Sequence, residues 1–138
     1  MKIALLAAAA VLAFTPAAFA EVVNYKADLK ASSEVPANDS KGSGAVTATY
    51  DTATKKLTFT ATYKDLTGPA TAAHFHGPAK AGANAGVAIP VKDMTPSPLK
   101  GEATLTDEQA KQLADGLMYF NVHTAANKGG EIRGQVTK

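Results

Sequence analysis

The three histidines of this 138-residue chain fall in two short runs: Ala72-Ala73-His74-Phe75-His76-Gly77-Pro78 and Asn121-Val122-His123-Thr124. If each run is a β-strand, His74 and His76 stand at i and i+2 and leave the same face, while Phe75 points the other way. His123 shares its parity with Tyr119 and Asn121, opposite Met118, Phe120 and Val122. Should the two strands be neighbours, three imidazoles converge on one point. Neutral imidazole suits copper, with zinc the second candidate. Three protein nitrogens with a fourth position open is the pattern of an exchangeable or reactive ion. The alternative is structural: surface histidines, or a histidine that hydrogen-bonds across the sheet to order a loop.

The remaining chemistry is thinner. The chain has no cysteine, which excludes disulfides, thiolate metal sites and cysteine nucleophiles. Met94 and Met118 carry thioethers, but Met118 has the wrong parity to join His123 and methionine commonly fills core gaps. Arg133 follows a Gly-Gly turn. It is a candidate for steering an anion, against the plainer reading of an exposed strand arginine paired with Glu131 or an aspartate. Asn84 and Asn127 lie in Gly-rich loops where asparagine serves turn geometry. Ser32, Ser33 and Ser40 sit in no nucleophile elbow, and no phosphate-cradling glycine motif opens a helix.

The elements that must hold the histidines read as short strands. Val23 to Ala31 alternates, with Tyr25, Ala27 and Leu29 on one side. Ala45 to Tyr50 alternates with Val46, Ala48 and Tyr50 inward. Lys56 to Lys64 alternates with Leu57, Phe59, Ala61 and Tyr63 inward, and the short polar link between these two runs predicts a hairpin. Thr71 to His76 is the first histidine strand. Val87 to Val91 carries Pro90, which places it at an edge or a strand end. Lys100 to Leu105 leads into one helix, about 107–115, whose start is signed by Thr106 and Gln109 as a capping box and by acidic Asp107 and Glu108. Gly116 is its stop. Leu117 to Thr124 holds the third histidine, and Glu131 to Thr137 closes the series, with Glu131, Arg133 and Gln135 on the side away from Ile132 and Val136. Seven or eight short strands with one short helix predict an all-β, antiparallel Greek-key sandwich or barrel.

The first twenty residues read as an export signal, residues 1–20: Lys2, an apolar run from Ile3 to Phe14, and Ala18-Phe19-Ala20 as the cleavage motif. Cleavage between Ala20 and Glu21 leaves one domain, residues 21–138, in the periplasm or outside the cell. No later run is long enough to span a membrane. The net charge is +2 with the signs interspersed, which argues against nucleic acid or an acidic membrane as partner.

Five stretches carry a family resemblance. They are Ser33-Glu34-Val35-Pro36, Gly42-Ser43-Gly44, Ala72 to Ala79, Tyr119 to Thr124 and Asn127 to Gln135, in that order along the chain. On these the sequence resembles the CHRD domain, the module named after chordin and found in many bacterial exported proteins. Phe75 replaces the isoleucine frequent between the two histidines of the family, and Lys128 stands where proline is common. In animals the domain belongs to an extracellular growth-factor antagonist, which implies a binding module.

His74-Phe75-His76-Gly77 and the later His123 also resemble the copper-ligand pattern of copper-zinc superoxide dismutases. The resemblance implies a copper ion on these residues and an anion-steering role for Arg133. The departures are the missing disulfide, zinc-loop ligands and fourth copper histidine, so what it implies is a copper-only, three-histidine site.

Three functions follow as expectations. The first is an exported protein binding a metal ion, copper before zinc, through His74, His76 and His123. The second is a non-catalytic module for a protein or polysaccharide partner. The third is a copper-only, superoxide dismutase-like enzyme, with the non-enzymatic readings ahead.

Overall fold

A computed structural model describes residues 14–15 and 19–138. Most of the predicted export signal, including Ala18 of its cleavage motif, lies outside the described residues. The elements run β1 (Val22–Lys30), β2 (Ser43–Asp51), β3 (Lys56–Lys64), β4 (Ala70–His76), β5 (Val87–Pro90), β6 (Leu99–Thr104), α1 (Asp107–Ala114), β7 (Tyr119–Thr124) and β8 (Ile132–Gln135), with a 3-10 turn at Ala31–Ser33. All eight strands join one antiparallel sheet in the order β5-β4-β7-β8-β1-β2-β3-β6. The sheet curls into a nearly closed barrel, the all-β antiparallel architecture that the strand spacing predicts.

Period-2 alternation explains the frame. Tyr25, Ala27 and Leu29 of β1, Val46, Ala48 and Tyr50 of β2, and Leu57, Phe59 and Ala61 of β3 are all buried, with polar neighbours between them facing out. β2 and β3 form the expected hairpin, pairing from Ser43–Lys64 to Asp51–Lys56. Phe59, Phe75 and Phe120 meet inside the barrel, with Phe75 4.8 Å from Phe120 and 5.1 Å from Phe59 in edge-on geometry, the arrangement that aromatic quadrupoles favour. Met118 is fully buried in the same core.

The barrel is incomplete between its two edge strands. β5, the strand with Pro90, pairs only with β4, and β6 only with β3. The helix follows β6 in the chain and reaches β5. Its capping box is present as predicted, Gln109 N donating to Thr106 Oγ1 at 3.1 Å and Thr106 N to Gln109 Oε1 at 3.0 Å. The Gln109 Nε2 then donates to Ala88 O of β5 at 3.0 Å. One side chain therefore both starts the helix and ties it to the open edge. Among the described residues no helix is long and apolar enough to cross a membrane.

The sheet departs from the sequence reading on the outer face of β7 and β8. Every residue of β7 is buried, on both faces. Arg133, which the plainer reading exposes and pairs with Glu131 or an aspartate, is 2% exposed, and Glu131 is 0% exposed. They do not pair with each other; Glu131 is held by hydroxyls and a backbone amide, and Arg133 by a loop. The reason is a second layer: the segments 31–42, 77–86 and 125–131 fold back over this part of the sheet.

Candidate metal centre

β4 and β7 are neighbours, and their register sets His74 opposite Asn121, His76 opposite Tyr119 and Ala72 opposite His123. Side-chain parity then places His74, His76, His123, Asn121 and Tyr119 on the outer face, under the loop layer. The three histidines each offer one ring nitrogen within 4.8 Å of the others. His74 Nδ1 lies 3.1 Å from His123 Nε2. His76 and His123 are buried, while His74 is half-buried and forms the open side of the cluster.

The far nitrogens of the two buried rings are fixed by the covering loops. His76 Nδ1 donates to Ala85 O at 2.9 Å, and His123 Nδ1 donates to Lys128 O at 2.8 Å. These bonds set the tautomer, so that each Nε2 carries a lone pair directed into the cluster. Between the two Nε2 atoms stands Asn121 Oδ1, 3.0 Å from His76 and 2.9 Å from His123. Five short contacts thus connect the rings to their surroundings, and three neutral imidazoles supply three protons. The contacts left without a proton are the two to Asn121 Oδ1, where lone pair faces lone pair.

Protonation is an unfavourable remedy. Burial pushes the His74 imidazole below its usual range, and the neighbouring His123 and His76 push it further. Burial likewise lowers His76, reinforced by His123 and Arg133 and opposed by the hydrogen bonds of Ala85 and Asn121. A cation that accepts lone pairs satisfies the arrangement without adding protons. The donor chemistry fits a nitrogen-preferring transition metal. The loop-ordering role foreseen for the histidines is also present, on the opposite ring nitrogens, so the two readings coexist.

Arg133 is buried and stacked. Its guanidinium carbon lies 3.4 Å from the centre of the Tyr119 ring, and the other flank of that ring stacks on His76 at 4.7 Å with planes 4° apart. β4 and β8 border β7 on opposite sides, so Tyr119 lies between an imidazole and a guanidinium. Arg133 also donates to Asn84 Oδ1 at 2.8 Å and to Ala83 O. Asn84, expected to serve a turn, reaches further and donates to Val35 O at 3.0 Å. Arg133 and Asn84 together pin the 77–86 loop over the histidines.

Sequence reasoning missed Glu34. It lies in the segment after the 3-10 turn, is 6% exposed, and its Oε1 has no hydrogen-bond partner among the described residues. Burial raises its carboxyl to about 7, against the opposing pull of Arg133, the Asn121 side chain and the Val35 backbone. Gly130, at φ +127°, makes room for it: a Cβ there would collide with Glu34 Oε1 and come within 2.6 Å of Asn121 Nδ2. The available signal for Asn121 was its parity with His123. For Glu34 the signal was its place in the Ser33-Glu34-Val35-Pro36 stretch of the family resemblance, which assigned it no role.

No curated protein matches the chain, and no solved structure does. The family model of the CHRD domain matches residues 25–136. This span includes the histidine strands, the covering loops and Glu34, and the chain belongs to the CHRD domain family.

Proposed function

We propose that this CHRD domain is an exported metal-binding protein whose ligands are His74, His76 and His123. The observation that carries the reading is the surplus of lone pairs: three ring nitrogens within 4.8 Å, two of them locked by carbonyls on the far side. Copper is the preferred ion because imidazole donors bind Cu(II) most strongly in the divalent series, and zinc is the second candidate. The half-buried His74 gives the ion an entry path. Binding, buffering or delivery of the ion suits such a partly open site, and export of the protein rests on the N-terminal signal in the sequence.

The test is titration of the purified protein with Cu(II) and with Zn(II) by calorimetry, alongside His74→Ala, His76→Ala and His123→Ala. One ion per chain, with at least a tenfold loss in each variant, is the expected result. Equal affinity in the His123→Ala variant would end the reading.

A second reading, superoxide disproportionation at a bound copper, draws on the same open side at His74. Anion steering by Arg133 in that reading requires the Ala83–Asn84 loop to lift, since the guanidinium is engaged there. Activity of the copper-loaded protein no greater than that of free copper would dispose of it.

A further inference from the structure

Asn121 sits at the centre of the cluster with its oxygen inward, an orientation that its immediate neighbours do not favour. The amide nitrogen, turned inward, would donate to both imidazole Nε2 atoms and convert the cluster into a self-satisfied hydrogen-bond network. What opposes that rotation lies behind the amide. Its Nδ2 faces Gly129 O at 3.5 Å and borders the same Gly130 gap as Glu34 Oε1. Gly129 O is an acceptor, and so is Glu34 Oε1 when the carboxyl is ionised; that oxygen is buried with no hydrogen-bond partner among the described residues. With the amide reversed and Glu34 ionised, its oxygen would face a carboxylate and a carbonyl, at the cost of two buried acceptor–acceptor contacts.

The front of the amide has the spacing of a donor. Asn121 Oδ1, His76 Nε2, His123 Nε2 and His74 Nδ1 are linked by contacts of 3.0, 2.9 and 3.1 Å. Donors around a tetrahedral ion at roughly 2.1 Å stand about 3.4 Å apart, so these contacts need to open by a few tenths of an ångström, while the wider pairs of ring nitrogens, within 4.8 Å, need to close.

We propose that Asn121 is the fourth donor of the cluster, an oxygen beside three nitrogens, and that Glu34 is the positioning residue that keeps this oxygen turned inward. This rests on the metal-binding reading and sharpens it. An amide oxygen is a hard donor, so the set favours a four-coordinate divalent ion, Cu(II) or Zn(II), over Cu(I). Supporting groups of this kind change metal affinity by about 10- to 100-fold when removed.

The experiment measures Zn(II) and Cu(II) affinity by competition with a chelator in the wild type, Asn121→Ala, Glu34→Met and Glu34→Gln, with thermal melts of each metal-free protein. The side-chain amide resonance of Asn121 is followed during Zn(II) addition to the wild type. Asn121→Ala is expected to weaken both ions at least tenfold. Glu34→Met, which removes the acceptor but keeps an unbranched side chain, is expected to do the same without lowering the melting temperature. Glu34→Gln retains an acceptor oxygen and should stay within threefold of the wild type. The Asn121 amide resonance should shift on Zn(II) binding.

Wild-type affinity in Glu34→Met overturns the positioning role, as does an equal loss in Glu34→Gln, which would point to charge rather than orientation. An unmoved Asn121 resonance, or unchanged affinity in Asn121→Ala, overturns the fourth donor and leaves the three-histidine site standing. Failure of the wild type to bind either ion overturns the metal-binding reading and this inference together.

Discussion

Glu131 and Glu34 are both buried carboxylates that border the Gly130 turn, and they are handled in opposite ways. Glu131 accepts from Ser40 Oγ at 2.5 Å, Thr67 N at 2.8 Å, Thr67 Oγ1 at 2.8 Å and Thr124 Oγ1 at 2.5 Å. Burial alone would raise its carboxyl, but these hydrogen bonds outweigh it and hold the group down at about 2. Glu34 has its Oε1 unpartnered and is raised to about 7. One carboxylate ties the 31–42 segment, the link after β3 and the end of β7 into a single layer. The other is kept poorly satisfied next to the histidine cluster, where perturbed groups concentrate for function. The contrast separates what holds the covering layer together from what the layer covers.

Breaking the satisfied partner should have the largest effect. Glu131→Ala strands three hydroxyls and an amide, and should cost about 4 kcal/mol in urea denaturation, since each buried unsatisfied group costs roughly 1–3 kcal/mol with partial relaxation. The pH dependence follows the same bonds. The folded carboxyl lies below its ordinary value of 4.5, so its stabilisation is complete above that pH and is lost as pH falls toward about 2. Thermal melts of the wild type from pH 5 to 2 should show this decline, and Glu131→Gln should flatten it.

Next in size is Gly130→Ala. A side chain at φ +127° is strained, and its Cβ would meet both Glu34 and Asn121. A loss of roughly 2–3 kcal/mol is expected, together with weaker metal binding because both side chains must shift. Unchanged stability in denaturation would show that the gap is looser than described.

Glu34→Met should move in the opposite direction from Glu131→Ala. The folded carboxyl of Glu34 lies above its ordinary value of 4.5, so the folded protein takes up a proton between about 7 and 4.5. Its contribution is therefore most favourable at low pH and declines as pH rises through about 7, where the buried group ionises. At pH 8 the metal-free variant should be more stable than the wild type by on the order of 2 kcal/mol, and at pH 5 the difference should shrink. Equal destabilisation at both values would place Glu34 with Glu131 as a structural tie.

The smallest effect is expected from Tyr119→Phe. This removes the phenol contacts with Ala85 N and O, both 3.2 Å, and leaves the stack between His76 and Arg133. A loss of about 1 kcal/mol in denaturation suits one hydrogen-bonding group, and metal affinity should stay near wild type.

How far the sequence showed this depends on the solvent. β1, β2 and β3 have one wet face, so Tyr25, Val46 and Phe59 announce themselves by alternation and the hairpin follows. The shared parity of His74, His76 and His123 was legible for the same reason, because Phe75, Phe120 and Val122 mark the inner face. The outer face of β7 was legible only as the side away from the apolar residues, because His123, Asn121 and Tyr119 are polar or amphipathic. They are in fact covered by loops from three distant parts of the chain. Loop layers have no period, so the burial of Glu131 and Arg133 had no local signal. Glu34 stood in one of the stretches of the family resemblance, but its role was not legible, since a Ser-, Asn- and Gly-rich stretch gives no face to compare it with.

The central claim is that three imidazoles share one ion. Electron paramagnetic resonance of the protein loaded with one equivalent of Cu(II), compared with His123→Ala, tests it most directly. The account expects a single copper species with hyperfine coupling to three nitrogens, reduced to two in the variant. Identical spectra from the two proteins, or a wild-type signal indistinguishable from copper in buffer, would contradict it.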